Sequence, residues 1–148
     1  MDLGLHGKRA LVTGASSGLG LACAQALAAE GVAVAIAARS AERLAGAAAT
    51  IDTSSSGRPV VQIVADVSST EAVHAMVTEA DAALGGIDIL IANAGGPPPG
   101  RFADTDLELY EPALRLNLLS TVAMCKAVVP AMQSRKWGRV VAITSTSV

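Results

Sequence analysis

The chain has 148 residues, a formal net charge of −2, and 51% hydrophobic but only 2% aromatic residues. That describes one domain-sized unit whose core must be built from Ala, Val, Leu and Ile. The weak, scattered charge gives no electrostatic case for nucleic acid, no apolar run free of charges and glycines reaches membrane-spanning length, and the opening Met-Asp-Leu-Gly-Leu-His lacks signal design, so a cytoplasmic protein with neither a nucleic-acid nor a membrane partner is expected.

Strand-like apolar runs are predicted at residues 9–13, 32–37, 60–65, 87–92 and 139–144. Helical patterns lie between them at 18–30, at 41–51 with Ser40 as N-cap, at 69–84 with Gly85 as stop, and from about 106 to 134. Leu107, Leu114, Leu118, Val122 and Val129 supply the apolar stripe of the last helix, and Pro130 falls where it can bend it. Continuous rather than alternating apolar strands, separated by helices, argue for a parallel sheet covered on both faces. Right-handed crossovers then give an α/β, Rossmann-like doubly wound sheet. Residues 53–58 form a polar loop too short for a domain linker, and 95–100 read Gly-Gly-Pro-Pro-Pro-Gly, which forces extended backbone. Cys23 and Cys125 each sit in a helical apolar pattern and read as buried small hydrophobes, not as a disulfide or metal pair; no metal site is expected.

The run most informative about function is 11–20, Leu-Val-Thr-Gly-Ala-Ser-Ser-Gly-Leu-Gly, between the first strand and the first helix. Gly14 can take backbone angles closed to other residues. Gly18 and Gly20 remove side chains where a pyrophosphate, or the strand packed below, must approach. The first turn of the helix leaves N–H groups unpaired at the positive end of its dipole, so a diphosphate fits there without a lysine. Ser16 and Ser17 add hydroxyl donors, and Leu19 lies within the same turn. At the end of the second strand Ala37-Ala38-Arg39-Ser40 offers no carboxylate for a ribose 2′-hydroxyl, whereas Arg39 presents a planar fork suited to a 2′-phosphate. NADP is therefore expected in preference to NAD. After the third strand come Asp66 and Val67. Asp66 either accepts from an adenine amino group, with the Val67 N–H donating to the ring, or belongs to the start of the next helix. Asp88 reads as structural, fixing the start of the fourth strand. Two polar residues stand in apolar surroundings: Asn117 on the long helix, where a buried amide needs a partner, and Ser145 at the end of the fifth strand, beside Thr144 and Ser147.

The Thr13-Gly14-x-x-x-Gly18-x-Gly20 form resembles the short-chain dehydrogenase/reductase family, classical type, and is similar to its 3-oxoacyl-[acyl-carrier-protein] reductase-like members; later motifs fall in the family's order across nearly the whole chain. Ala92-Asn93-Ala94-Gly95 is similar to the family's Asn-Asn-Ala-Gly, with Ala92 as a departure. The resemblance implies that Asn93 braces the sheet edge and that Gly95 lets a cofactor ribose lie against backbone. It tips Asp66 and Val67 toward adenine contact. It makes Asn117 the residue that loosens the long helix and anchors a water on a proton relay, and Ser145 the catalytic serine that holds a substrate carbonyl. It also implies hydride transfer between the nicotinamide and a small-molecule carbonyl or secondary alcohol.

The proton in such a reaction comes, in the family, from the Tyr of a Tyr-x-x-x-Lys helix beyond the serine. The only tyrosine here, Tyr110, is followed by Glu111-Pro112-Ala113-Leu114 and does not match. His6 reads as a surface tail and His74 as a helix-surface residue, so neither substitutes. The 148 residues, with five of the six strands of the order 3-2-1-4-5-6, are accordingly expected to be the amino-terminal, dinucleotide-binding part of a longer single-domain protein, and inactive alone. The long helix resembles the family's dimerising helix, which implies a homodimer or homotetramer. A non-catalytic nucleotide-binding or regulatory protein of the same fold is the alternative; Ala37-Ala38-Arg39 argues against a methyltransferase.

Overall fold

The computed structural model describes residues 3–96 and 100–144. Five parallel strands, β1 (Arg9–Thr13), β2 (Ala33–Ala38), β3 (Val61–Val64), β4 (Ile89–Ala92) and β5 (Arg139–Ala142), form one sheet in the order β3-β2-β1-β4-β5. Leu11 lies between Ala35 on one side and Leu90 on the other, so the first strand is the centre of the sheet. This is a doubly wound α/β sheet.

Each strand residue faces one of two layers, because side chains alternate along a strand. Leu11, Ala35, Ala37, Ile63 and Leu90 face α3 (Thr70–Leu84) and α5 (Ser120–Ser134), meeting Val73, Met76, Met124 and Val128. Ala10, Val12, Val34, Ile36, Ile89 and Ile91 face α1 (Gly18–Ala29) and α2 (Ala41–Ala48), meeting Ala24, Ala28, Leu44 and Ala47. The buried face of α1 is Gly20, Ala24 and Ala28, small residues at helical spacing that let the helix lie close on the sheet. Cys23 and Cys125 are free thiols, half-buried, and packed against opposite layers.

Covering of the sheet is uneven. β1 and β4 are buried nearly throughout, whereas every residue of edge strand β5 is exposed. The sheet is thus covered on both faces only at its centre.

The long helix departs most from expectation. Residues 107–134 run as a 3-10 turn (Leu107–Leu109), α4 (Tyr110–Leu114), a π turn (Arg115–Leu119) and α5. Three consecutive side-chain bonds to carbonyls one turn back explain the loosening. Asn117 Nδ2 donates to the Ala113 carbonyl (2.9 Å), Ser120 Oγ to Leu116 (2.5 Å) and Thr121 Oγ1 to Asn117 (2.9 Å). Such bonds compete with the helical ladder. The apolar stripe faces mostly outward, with Val129 alone of its members packed against the core. Leu107, Leu114, Leu118 and Val122 are exposed, and the buried face is Ser120, Met124, Val128 and Met132. α5 runs through Pro130 to Ser134. By length and composition Leu107–Ser134 could cross a membrane, with a mean hydropathy of 1.3. It carries Glu108, Glu111, Arg115 and Lys126, and packs as the crossover between β4 and β5.

At the amino ends of the central strands an ion cluster ties the elements together. Arg9 Nε and Nη2 each donate to Asp88 at 2.7 Å, and Arg135 at the end of α5 lies 3.5 Å from the same carboxylate. The Asp88 side chain is only 8% exposed. The bidentate bond to Arg9 and the charges of both arginines hold its carboxyl below the usual range.

Candidate functional site

The carboxyl ends of β1, β2, β3 and β4 open onto a cleft of about 700 Å³. Its floor is the turn between β1 and α1. Gly14 has φ +60° and Gly18 φ +58°, the left-handed region that favours glycine. A Cβ at Gly14 would sit 2.6 Å from Asn93 Nδ2 and 2.9 Å from the Asn93 carbonyl oxygen, so the turn lies directly on the loop after β4. A Cβ at Gly20 would strike the carbonyl of Gly14. At Gly18 the same added carbon would meet nothing within 4 Å. Gly20 therefore serves packing below the turn, and Gly18 serves backbone angle and open approach from the cleft.

Asn93 braces this floor. Its side-chain Nδ2 donates to the Gly14 carbonyl at 3.2 Å, while its backbone N–H donates to Thr13 Oγ1 at 3.0 Å. Thr13 Oγ1 in turn donates to the Asn93 carbonyl at 2.7 Å. This reciprocal pair pins the end of β1 to the end of β4.

Ser17 is the N-cap of α1, in extended backbone, yet its hydroxyl makes no bond to its own helix. It accepts instead from Arg43 Nη2 at 3.2 Å. The N–H groups of the first turn of α1 consequently have no side-chain cap. That is the chemistry of an anion site: unpaired donors at the positive end of a helix dipole.

Gly14, Ser16, Ser17, Leu19, Arg39, Asp66, Val67, Asn93 and Gly95 all line this one cleft. Gly18 and Gly20 shape its floor from behind. Asp66 Oδ1 accepts from the Ser68 N–H (3.0 Å) and Ser68 Oγ (2.7 Å), which lowers the carboxyl pKa; nearby Arg39 lowers it further. The cap of α3 is Ser69, whose hydroxyl accepts from the Ala72 N–H at 3.2 Å, so Asp66 is not itself the capping residue. Among the described residues no group of His, Cys, Asp or Glu is placed to hold a metal ion.

Asn117 is corrected in one respect. It is exposed, not buried, and its amide is satisfied within the helix. It sits in the π turn beside Leu116, and it is Leu116 that reaches the cleft. Ser145 and Ser147, like the prolines 97–99, lie outside the described residues. Tyr110 stands exposed at the start of α4, and is not among the residues lining the cleft.

Arg43 is the charged cleft residue that sequence reasoning missed. A cation in the first turn of a helix is disfavoured by the dipole, and Arg43 is the third residue of α2. That misplaced charge was the available signal.

A family model described as short chain dehydrogenase matches residues 8–148. The chain is 37% identical over 141 residues to the ketoacyl reductase HetN of a Nostoc strain, covering 95% of this chain and 48% of that protein. L-sorbose reductase from Gluconobacter frateurii, solved with NADPH and L-sorbose, superimposes with a TM-score of 0.86 at 34% identity, covering 95% of this chain and 53% of that one. A short chain dehydrogenase from Burkholderia cenocepacia in complex with NADP gives a TM-score of 0.77 at 39% identity, over 85% of this chain and 51% of that one. The chain spans about half the length of the curated relatives it matches. On its fold, its glycine turn and these matches, the chain belongs to the short chain dehydrogenase family.

Proposed function

We propose that the protein is an NADP-dependent oxidoreductase acting on a small carbonyl compound or secondary alcohol. The observation that carries this reading is the uncapped start of α1 opening into the same cleft as Arg39, with no carboxylate in ion-pair contact with that arginine among the described residues. The bound nicotinamide would supply hydride chemistry. The chain's own part is binding and orientation. The first-turn N–H groups of α1 and the open approach at Gly18 suit a diphosphate. Arg39 suits a 2′-phosphate. Asp66 and the Val67 N–H suit an adenine edge, and Gly95 leaves backbone open beside the cleft. Two of the similar structures carry NADPH or NADP, which supports the same cofactor choice.

Ser145 is assigned the role of polarising the substrate oxygen, and Asn117 that of loosening the long helix and anchoring a water on a proton relay; the π turn at Asn117 supports the loosening. No Tyr-x-x-x-Lys occurs in the 148 residues, so these alone are expected to bind cofactor without turnover. The exposed Leu107, Leu114, Leu118 and Val122 support self-association through the long helix, and a cytoplasmic setting fits the cofactor.

The test is NADPH oxidation at 340 nm by the intact protein, as its gene encodes it, against a panel of ketones, aldehydes and ketoacyl thioesters, alongside direct titration with NADPH and NADH. Turnover with NADPH preferred supports the reading. Tight binding with no turnover on any substrate replaces it with the non-catalytic, nucleotide-binding alternative. No binding of either nucleotide overturns both.

A further inference from the structure

We infer that Arg43 is a second cofactor-selecting residue, which joins Arg39 in gripping the 2′-phosphate of NADP and is held over the cleft by Ser17. The inference rests on the NADP reading above and extends it to a residue outside the glycine turn and the strand ends.

Arg39 lies just before the N-cap of α2 and Arg43 is the third residue of that helix, and both line the cleft. Its backbone and side chain have separate duties. The backbone N–H donates to Ser40 Oγ at 3.3 Å, which caps α2. The guanidinium leaves the helix and crosses to the N-cap of α1, where Nη2 donates to Ser17 Oγ at 3.2 Å. A cation in that first turn works against the dipole of α2, so helix stability does not account for it. Nor does an ion pair: among the described residues no carboxylate lies in salt-bridge contact with Arg43 or Arg39. The facing carboxylate, Asp66, has Oδ1 engaged by Ser68.

Two guanidinium groups without a close ion pair among the described residues, one of them with Asp66 nearby, therefore share a wall of one cleft in a protein of net charge −2. A guanidinium carries five N–H donors, and the Ser17 contact uses one. The remaining donors of Arg43, together with those of Arg39, match the several oxygens of a phosphate dianion. Ser17 acts here as a positioning residue. By accepting from Arg43 it fixes that side chain, and at the same time it leaves the first-turn donors of α1 to the diphosphate.

The experiment measures dissociation constants of the intact protein for NADPH and NADH, and for the fragments 2′,5′-ADP and 5′-ADP, in wild type, Arg39→Gln, Arg43→Gln, Arg43→Lys and Ser17→Ala. The wild type is expected to prefer NADPH. Arg43→Gln is expected to weaken NADPH and 2′,5′-ADP about tenfold or more, the usual worth of a charge-assisted hydrogen bond, while NADH and 5′-ADP change by less than about twofold. Arg43→Lys should recover part of the loss, and Ser17→Ala should weaken NADPH less than Arg43→Gln does. Melting temperatures should not move, since both arginines are exposed. If Arg43→Gln leaves NADPH unchanged while Arg39→Gln alone removes the preference, the inference is wrong. Equal weakening of NADPH and NADH also overturns it, by showing Arg43 to be a brace for the turn. A wild type without preference for NADPH overturns the underlying cofactor reading, and this inference with it.

Discussion

α1 and α3 both follow a strand and both begin at a serine in extended backbone, yet they use that serine in opposite ways. Ser69 turns its hydroxyl back to the Ala72 N–H and also donates to Glu71, closing the start of α3 on itself. Ser17 turns its hydroxyl outward to Arg43 and leaves the start of α1 open. α3 is finished as a piece of structure; α1 is finished only when something else supplies the missing acceptors. The difference shows where this fold gives up local stability to keep a binding surface, and it is written in side-chain direction, not residue type.

The largest effect should come from closing the α1 turn sterically. Gly14→Ala places a carbon against Asn93 in a left-handed conformation, and a loss of roughly 2–5 kcal/mol is expected from strain and overpacking together. Chemical denaturation would measure it, and an unchanged midpoint would mean the turn is softer than its contacts imply. Next is the opposite end of the same strands, where no ligand compensates. Asp88→Asn leaves two arginines beside a neutral amide, and a loss of about 3 kcal/mol at neutral pH is expected. Its sign with pH is fixed. The folded carboxyl is held below its ordinary 3.8, so its contribution is complete above that value and disappears as pH falls through the lowered folded one. Acid unfolding below about pH 4 should therefore be shallower in the variant. Ser69→Ala should cost α3 about 1 kcal/mol and leave nucleotide affinity alone. Ser17→Ala is the smallest in stability, at most a few tenths of a kcal/mol, because no cap bond exists to lose. If thermal melts place Ser17→Ala level with Ser69→Ala, the two helix starts are alike after all.

Much of this comparison was readable in the sequence, because strand ends and turns are local. β1 matches its expected residues 9–13, and Gly14, Arg39 and Asp66 lie at strand ends and line one cleft, as their places in the sequence suggested. Edges slipped where a side chain overrides the apolar run. Ile87 is buried but stands before β4, since Asp88 takes the Arg9 clamp first. The long helix was ambiguous for a different reason. It has two apolar faces, and periodicity cannot say which turns inward; Met124, Val128 and Met132 do, and the leucines do not. Arg43 gave only the signal of a cation in a helix's first turn, because its role depends on reaching another element, a distance no spacing rule contains.

The alanine stripe of α1 has a consequence for how this protein can change. With Gly20, Ala24 and Ala28 against the sheet, the stripe itself has no methylene to remove and no room to add one. The other layer holds Met76, Met124 and Met132, long unbranched side chains that adapt to altered neighbours. A library of random variants selected only for folding should collect tolerated core replacements around those methionines and almost none along the stripe, so descendants of this sequence would drift beneath α3 and α5 while the contact of α1 with the sheet stays frozen.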